Sequence, residues 1–275
     1  MEIEFIKTSP TQNMTILVET QIQEDKQLNV AQKLIAYNSV YGEQVGFIQE
    51  PSDNRAAKAL RMMAGEFCGN ATLSLAAWIM EQKGLPVGQR ESVLLEVSGA
   101  KGLVYCEIQK EEDCYFGKVD MPLPLSVEWE EFQLGRESFT LPVVRFDGIA
   151  HIIVNREVWG ENAKYKAEQA AFIWEERMPE AYGILLWDGR TEQLEPLVCL
   201  KDTSLIWERG CGSGTSAIGA FLAVQTGKGV SLDCKQPGGI MGVEASVEDG
   251  RITSLQISGC VSIIAVGKAF IKSDE

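Results

Sequence analysis

Two cysteines begin matching segments of this sequence. The first segment runs from Cys68 to Trp78 and reads Cys-Gly-Asn-Ala-Thr-Leu-Ser-Leu-Ala-Ala-Trp. The second runs from Cys211 to Phe221 and reads Cys-Gly-Ser-Gly-Thr-Ser-Ala-Ile-Gly-Ala-Phe. Both segments place cysteine and glycine ahead of small and apolar residues, which is typical of a helix that is apolar on all sides. Two helices that each begin at a cysteine indicate one site with a thiol on each side.

The chemistry of such a pair follows from the ends of helices. An N-terminus has unpaired N–H groups and the positive end of the helix dipole, so it binds anions and lowers the pKa of a cysteine. Two N-termini that face each other can bind one carboxylate, while the thiols of Cys68 and Cys211 flank the neighbouring carbon. One thiol then removes a proton from one face of this α-carbon, and the other supplies a proton to the opposite face. The backbone amides expected to bind the carboxylate are those of Gly69, Asn70, Gly212 and Ser213.

This arrangement predicts racemisation or epimerisation at an α-carbon. The amides would stabilise the charge that develops on the carboxylate as a carbanion forms. The glycine after each cysteine lets the backbone approach a ligand closely. We expect no cofactor, because no segment has the pattern of a phosphate-binding loop or marks a lysine for a Schiff base with pyridoxal phosphate.

The composition indicates a globular protein. The 275 residues are 45% hydrophobic, which is ordinary for a soluble domain. The 25 basic and 39 acidic residues give a net charge of −14, which argues against nucleic acid or an anionic membrane as the main partner. No apolar run approaches the ~20 residues of a membrane span, and the N-terminus is unlike a signal peptide.

The seven cysteines are expected to be reduced thiols. Their number is odd, no pair has the Cys-x-x-Cys spacing, and no export signal precedes them. These features predict a cytoplasmic location. We also expect no metal site, since the sequence has a single histidine, His151.

The elements around the first cysteine follow from hydrophobic patterning. The cysteine helix is expected from Gly69 to about Gln82, ending at a basic residue and a C′ glycine, Lys83-Gly84. The other predicted elements are a hairpin over 3–8 and 14–19, a helix over 28–36, and strands over 40–49, 57–63, 93–97, 103–108 and 117–121.

The chain after residue 121 repeats this order. Pro122-Leu123-Pro124 and the acidic region up to Thr140 predict a linker. We therefore predict two matching halves, residues 1–122, which residues 263–275 rejoin, and residues 123–262. The predicted elements of the second half are a hairpin over 143–146 and 152–154 with its turn over 147–151, a helix over 165–176, a strand over 181–187 that resembles the segment from Val40, the second cysteine helix, and strands over 230–234 and 241–247.

The sequence resembles the diaminopimelate epimerase-like superfamily over essentially its whole length. This superfamily includes proline racemases and the histidine racemases of the staphylopine pathway. The resemblance implies an α+β fold of two pseudo-symmetric halves, each a mixed or antiparallel sheet rolled around a central helix, with the active site in the cleft between them. It also implies an amino-acid substrate and a homodimer. The matching segments are Asn13 in the first hairpin turn, Cys68-Gly69-Asn70, Gly148-Ile149-Ala150-His151, Trp207-Glu208-Arg209-Gly210-Cys211-Gly212-Ser213-Gly214, Gln236-Pro237-Gly238-Gly239 and the closing strand to Ile271.

The departures from the epimerases bear on the substrate. Arg209 and Cys211 are almost adjacent here, Ile149 stands where the epimerases have asparagine, and the segment before Cys68 is shorter. The missing groups hold the second amino-acid end of diaminopimelate in that family. The pattern is intermediate between epimerases and proline racemases and is similar to histidine racemases, so L-histidine is the expected substrate. The alternatives are a diaminopimelate epimerase, a proline or hydroxyproline racemase, and, from another class, a thiol redox protein or a non-catalytic ligand-binding protein.

The resemblance also implies substrate-binding roles for residues outside the two cysteine motifs. Glu43 or Gln44 is the candidate for contacting the substrate side chain, a solvated loop being the alternative. His151 is expected to lie near a thiol and tune its protonation, a packed core histidine being the alternative. Glu208 is expected to contact the substrate amino group or to pair with Arg209.

Overall fold

The computed structural model describes residues 1–201 and 203–272. The chain forms two compact units, one comprising Met1–Asp120 and the chain from Ser258 onward, the other Met121–Ile257. Residues 273–275, which the predicted first half includes, lie outside the described residues. Both units have a mixed α+β fold that is rich in strands. None of the helices within the described residues has the length and apolar character needed to cross a membrane.

The strands and helices are numbered in chain order. The strands are β1 Glu2–Pro10, β2 Thr15–Val18, β3 Gln44–Gln49, β4 Lys58–Met62, β5 Arg90–Val97, β6 Val104–Lys110, β7 Tyr115–Asp120, β8 Ser126–Leu134, β9 Glu137–Phe146, β10 Ile149–Asn155, β11 Ala181–Asp188, β12 Gln193–Leu200, β13 Ser204–Trp207, β14 Val230–Gln236, β15 Gly239–Glu248 and β16 Arg251–Phe270. The helices are α1 Glu24–Ile35, α2 Gly69–Gln82, α3 Arg156–Trp159, α4 Ala163–Trp174 and α5 Gly212–Thr226.

In the first unit, a sheet surrounds helix α2. The strands follow one another in the order β1 to β7, and β16 lies next to β7 and also pairs with β1. Helix α2 contacts each of the strands β1 to β7. Its residues from Gly69 to Ala77 are all buried, and its first charged residue is Glu81. A helix without a polar face is stable only inside a core, so its composition dictates this central position.

In the second unit, two helices pack against different sets of strands. The strand order is β15-β14-β12-β11-β10-β9-β8, and β13 pairs with β12. Helix α5 contacts β8, β9, β10, β14 and β15, whereas α4 contacts β8, β11 and β12. A Cβ atom on Gly219 of α5 would lie 2.4 Å from Cγ2 of Val243. The glycine therefore allows α5 to approach strand β15 closely.

Most predicted elements are confirmed, and the two cysteine helices begin where expected. They begin at Gly69 and Gly212, immediately after the cysteines. Gly84 and Gly227, at the ends of these helices, have φ angles of 69° and 65°. A residue in this left-handed conformation commonly terminates a helix, and glycine adopts it without strain.

The predicted linker up to Thr140 is wrong. Strands β8 and β9 form an antiparallel hairpin through this region, with the turn at Gly135, whose φ is 61°. Phe132 of β8 is buried, and the Glu130 carboxylate pairs with Arg145 and Arg177. The acidic residues were interpreted as linker because these cationic partners are distant in sequence.

Three further differences concern strand limits. The strand predicted from Val40 begins only at Gln44, and Tyr41 is an exposed residue with a φ of 59°, unlike the buried Tyr182 that it was matched with. Strand β10 begins at Ile149, so His151 lies in a strand and not in the hairpin turn. Strands β12 and β13 were not predicted, and Pro196 within β12 is a residue that argues against a strand.

Candidate functional site

Cys68 is the N-cap residue of helix α2. Its Sγ accepts a hydrogen bond from the backbone N–H of Ala71 at 3.4 Å. Its carbonyl oxygen accepts the hydroxyl of Thr72 at 2.7 Å and the N–H of the same residue at 3.0 Å. The thiol sulfur therefore lies beside the first turn of the helix, where backbone N–H groups have no acceptor within the helix.

Cys211 has the same local contacts at the start of α5. Its Sγ accepts the backbone N–H of Gly214 at 3.3 Å, and its carbonyl oxygen accepts the Thr215 hydroxyl at 2.7 Å. The threonine four residues after each cysteine thus has the same partner in both helices. The repeated sequence folds into a repeated N-terminus with a thiol at its cap. Gly69, Asn70 and Gly212 are buried in these first turns, and Ser213 is half-buried.

A chain of hydrogen bonds orients the Cys68 thiol. Cys68 Sγ donates to Oε1 of Gln44 at 3.0 Å. The amide group of Gln44 donates in turn to Oδ1 of Asn13 and to Oγ1 of Thr15, both at 2.8 Å. Strands β2 and β3 pair in parallel with Thr15 opposite Gln44, so the sheet register brings these side chains together. The structure thus gathers Asn13, Gln44 and Cys68 in one unit.

The surroundings of Cys211 act on its thiol in opposite directions. Complete burial raises its pKa well above the ordinary value, and the neighbouring Glu208 carboxylate raises the pKa further by its charge and a side-chain hydrogen bond. The Ser213 hydroxyl, with Oγ 3.5 Å from Sγ, and the N–H of Gly214 lower this pKa. Burial and the carboxylate dominate, because hydrogen bonds from neutral donors only partly replace the lost hydration of a thiolate.

His151 joins this group through Ser213. Its Nε2 lies 3.0 Å from Oγ of Ser213, which in turn lies beside Cys211. The imidazole is fully buried, and burial alone lowers its pKa to about 3, so the ring is neutral at physiological pH. The interpretation of His151 as a packed core residue and its interpretation as a neighbour of a thiol are therefore compatible.

Gln236 is a further member of the site that the sequence-based candidates do not include. Its Oε1 accepts the backbone N–H of Cys211 at 2.8 Å, and its Nε2 donates to Oγ1 of Thr215 at 2.7 Å. The segment Gln236-Pro237-Gly238-Gly239 was recognised as part of the resemblance, but nothing in the sequence indicated which residue the glutamine contacts.

The two remaining candidates lie at exposed positions. Glu43 is exposed, and its backbone N–H donates to the carbonyl of Met14 at 2.8 Å. Arg209 is exposed as well, and its Nη2 donates to the carbonyl of Pro237 at 3.1 Å. The Arg209 carbonyl accepts the N–H of Gly238, which fixes the backbone just before Cys211.

Comparison with known proteins shows that this chain is similar to histidine racemases. A family model described as the histidine racemase CntK N-terminal domain matches residues 2–270. A histidine racemase from Staphylococcus aureus is 32% identical over 276 residues, with 98% of each chain covered. A histidine racemase from Fusobacterium nucleatum subsp. nucleatum is 30% identical over 280 residues, with 98% of this chain and 97% of the relative covered.

Two solved structures share the fold at low sequence identity. A hydroxyproline epimerase from Agrobacterium vitis with bound trans-4-hydroxy-L-proline matches with a TM-score of 0.73 at 14% identity, over 97% of this chain and 92% of its own. A predicted epimerase from Pseudomonas aeruginosa matches with a TM-score of 0.67 at 13% identity, over 99% of this chain and 100% of its own. The sheet-rich α+β fold is thus that of the proline racemase and epimerase type.

Proposed function

We propose that this chain, which belongs to the histidine racemase family, interconverts L-histidine and D-histidine with two cysteine thiols. The family match covers residues 2–270, and the resemblance to histidine racemases predicted from the sequence is confirmed. The chain is accordingly an isomerase of the amino-acid racemase class. Histidine is proposed as its substrate because relatives of that activity are 32% and 30% identical to it over nearly the whole length.

The observation that carries the mechanism is the repeated helix N-terminus. Cys68 and Cys211 both cap a buried helix, and both accept an N–H from the third residue that follows. All seven cysteines are free thiols, so both capping residues are in the state that acid–base chemistry requires. A thiol that is held against a helix N-terminus lies beside backbone donors suited to a substrate carboxylate.

We further infer that the substrate lies between the two predicted halves, residues 1–122 with 263–275 and residues 123–262. In this proposal the halves are pseudo-symmetric and each contributes one cysteine to a shared cleft. The sequence repeat and the identical hydrogen bonds at the two N-termini support it. A homodimer stays an expectation from the resemblance.

The reaction proceeds in two proton transfers. A thiolate takes the α-proton of one enantiomer, so that an S–H bond forms and the C–H bond leaves its electron pair on the α-carbon. The thiol of the other cysteine then gives its proton to the opposite face and becomes the thiolate. The backbone N–H groups at the N-termini of α2 and α5 bind the carboxylate, on which the negative charge is spread. Each turnover exchanges the protonation states of Cys68 and Cys211.

Side chains around the two thiols have separate roles in this proposal. Glu208, beside Cys211, binds the substrate ammonium group, and this positive charge offsets the effect of the carboxylate on the thiol. Glu43 is the candidate contact for the imidazole of the substrate. Gln44 holds the Cys68 thiol in one orientation, and Asn13 fixes the amide of Gln44.

His151 acts through Ser213 in this mechanism. Within the part of the chain that the structure describes, Nδ1 of His151 has no hydrogen-bond partner. An unpaired buried N–H is more costly than an unpaired lone pair, so we assign the imidazole proton to Nε2. Nε2–H then donates to Oγ of Ser213, which leaves the serine hydroxyl to donate to the Cys211 thiolate.

The test is α-proton exchange in D₂O. Reduced protein is incubated with L-histidine, and the α-proton NMR signal and the ratio of enantiomers are followed. L-histidine should lose its α-proton signal and yield D-histidine. L-proline, trans-4-hydroxy-L-proline and diaminopimelate serve as competing substrates. α-Proton exchange in one of these compounds and not in histidine would overturn the assignment of histidine as the substrate. Exchange in no amino acid would overturn the racemase mechanism.

Single substitutions test the two thiols separately. Cys68→Ala and Cys211→Ala should each abolish racemisation. Cys106→Ala and Cys234→Ala are matched controls, since each removes a buried cysteine from a strand of the corresponding unit. These controls should retain activity. Full activity in Cys68→Ala or in Cys211→Ala would show that the substituted cysteine takes no part in the mechanism.

A further inference from the structure

Two buried hydroxyl groups connect strand β1 to the first turn of helix α2. Oγ1 of Thr8 lies 2.8 Å from Oγ of Ser74, and the Ser74 hydroxyl lies 2.8 Å from the carbonyl oxygen of Asn70. The side chains of Thr8 and Ser74 are completely buried. Neither residue belongs to the sequence-based candidates or has a role in the mechanism described above.

The groups present fix the direction of these hydrogen bonds. The Asn70 carbonyl can only accept, so Ser74 gives it its single hydroxyl proton and accepts the proton of Thr8 in turn. The carbonyl of Thr15 is a second acceptor for Thr8, at the longer distance of 3.3 Å. Thr15 lies opposite Thr8 in the pairing of β1 with β2, and β1 contacts α2, so the sheet determines where the Thr8 hydroxyl lies.

The peptide unit that Ser74 binds also contacts the Cys68 sulfur. The carbonyl of Asn70 and the N–H of Ala71 belong to one peptide unit, which is planar and rigid. This N–H donates to Sγ of Cys68 at 3.4 Å. The Thr8 hydroxyl, the Ser74 hydroxyl and this peptide unit thus form a donor chain, in which every link donates towards the sulfur.

The donor chain favours the charged form of the Cys68 thiol. Hydrogen bonds in series polarise one another, so a peptide whose carbonyl accepts a hydroxyl is a stronger N–H donor. Donation to the sulfur stabilises the thiolate, whereas Oε1 of Gln44 accepts the S–H proton and stabilises the thiol. The sulfur therefore has a partner for each protonation state, which suits a group that takes and gives a proton in turn.

Within the residues that the structure describes, helix α5 has no counterpart of the donor chain. The N–H that contacts its cysteine is that of Gly214, so the corresponding carbonyl is that of Ser213. Four residues after Ser213 stands Ala217, which has no hydroxyl group. The Ser216 hydroxyl donates at 2.9 Å to the carbonyl of Gly212, which belongs to the preceding peptide unit.

We propose that Thr8 and Ser74 are positioning residues, which hold the intervening peptide unit so that its N–H stabilises the Cys68 thiolate. Their hydroxyl groups keep their protons throughout, while the sulfur loses and regains its own. Cys211 differs, because the Ser213 hydroxyl lies directly beside its sulfur. The link to catalysis rests on the proposed function, in which Cys68 acts as a base, but the effect on the thiolate does not.

The test is the pH dependence of Cys68 alkylation by iodoacetamide. Reduced full-length protein without substrate is alkylated for increasing times, and the Cys68 peptide is quantified by mass spectrometry. This half-buried thiol reacts as the thiolate, so the rate reports the thiolate fraction. In Ser74→Ala the midpoint of the profile should rise by about half a pH unit, which lowers the rate at pH 7 about threefold. A profile that coincides with that of the native protein would overturn the proposal.

The direction of the change separates this role from a merely structural one. A helix loosened by the substitution would expose Cys68 and speed its alkylation, and the buried Cys106 of the same unit would react as well. We expect slower alkylation of Cys68 while Cys106 stays unmodified. Faster alkylation of both cysteines in Ser74→Ala would assign the serine to stability alone. Glu66 and Glu43 keep their charges in every variant, so a shift of the profile does not come from them.

Variants of Thr8 test the first link of the donor chain. Thr8→Val keeps the shape of the side chain without its hydroxyl, and it should shift the profile in the same direction as Ser74→Ala but by less. Thr8→Ser keeps the hydroxyl and should remain close to the native profile. In the double variant, Thr8→Val should add nothing to Ser74→Ala, because its effect passes through the Ser74 hydroxyl. Additive shifts would contradict the donor chain.

Racemisation of L-histidine by the same variants connects the donor chain to the reaction. It should slow in Ser74→Ala and in Thr8→Val, together with alkylation. If the native protein racemises histidine but its alkylation profile equals that of Ser74→Ala, this inference alone fails. If the profiles differ as expected but the native protein racemises no amino acid, the proposed function fails and the donor chain stands.

Discussion

A Cβ atom on Gly183 would lie 2.3 Å from Nδ1 of His151 and 2.9 Å from its Cε1. The two residues are directly opposite each other in the parallel pair of strands β10 and β11. The absence of a side chain at Gly183 therefore creates the space that the fully buried imidazole occupies. This space lets the ring present its Nε2 to Ser213.

Gly183→Ala should disrupt this arrangement. The added methyl group must displace the imidazole ring, and such overpacking costs about 1 to 3 kcal/mol of the free energy of unfolding. We also expect slower racemisation, because the ring can no longer reach Ser213. Urea unfolding and α-proton exchange measure the two effects. Gly102→Ala is the control, since nothing lies within 4 Å of its added Cβ. An unchanged stability of Gly183→Ala would show that the strand pair can relax.

His151 should also make stability depend on pH. Its pKa is about 3 in the folded chain, against about 6.5 in the unfolded chain. Between these values the unfolded state binds one more proton, so the free energy of unfolding falls as the pH decreases below about 6.5. The slope approaches about 1.4 kcal/mol per pH unit as the pH falls, which amounts to about 1.6 kcal/mol between pH 6.5 and pH 5. Urea unfolding across this range measures it.

His151→Gln is the control for this pH dependence. His151 is the single histidine of the chain, so the variant removes the imidazole contribution completely. Above pH 5 most carboxylates are already ionised, and the variant should show a shallow slope. Parallel slopes for the native protein and the variant would mean that the buried ring takes up a proton without unfolding.

The local sequence predicted the parts of the site but not their contacts. The helices that begin at Gly69 and Gly212 follow directly from their apolar composition and their cysteine caps. Asn13 and Gln44 were both candidates, yet their hydrogen bond depends on the register that aligns β2 with β3. Register is a property of strand pairing between distant segments, which one sequence does not reveal. The contact between His151 and Ser213 escaped prediction because it depends on the packing of α5 against β10, which is a tertiary contact.

The mistaken linker has a similar origin. The segment from Ser126 to Thr140 carries three glutamates before its turn and resembles solvated chain when taken alone. Its position in the sheet depends on Arg145 and Arg177, which pair with Glu130 in the folded unit. Charge compensation of this kind depends on tertiary contacts, and composition alone therefore favoured the wrong assignment.

Gln44→Met tests the orientation of the Cys68 thiol. Methionine has a similar length, but it cannot accept the thiol proton or donate to Asn13 and Thr15. We expect the free energy of unfolding to fall by about 1 to 3 kcal/mol, because buried acceptors lose their donor. Racemisation should slow by about tenfold or more, since the thiol is no longer held in one orientation. Gln21→Met is the control for stability alone, since the side-chain amide of Gln21 donates to the backbone carbonyls of Glu19 and Ile48. Native exchange rates in Gln44→Met would contradict the role of Gln44.

Thr11→Asn should stabilise the first hairpin. Thr11 and Gln12 have φ angles of 49° and 60°, and Asn13 N–H donates to the carbonyl of Pro10 across this turn. A β-branched residue is strained at positive φ, whereas asparagine tolerates this conformation. The substitution should therefore raise the free energy of unfolding by about 1 kcal/mol. Asp249→Asn is the matched control, because Asp249 already occupies an Asp-Gly turn with a φ of 49° and should change little. Chemical denaturation compares the two variants. A loss of stability in Thr11→Asn would mean that the threonine side chain contributes more by its packing than its backbone costs in strain.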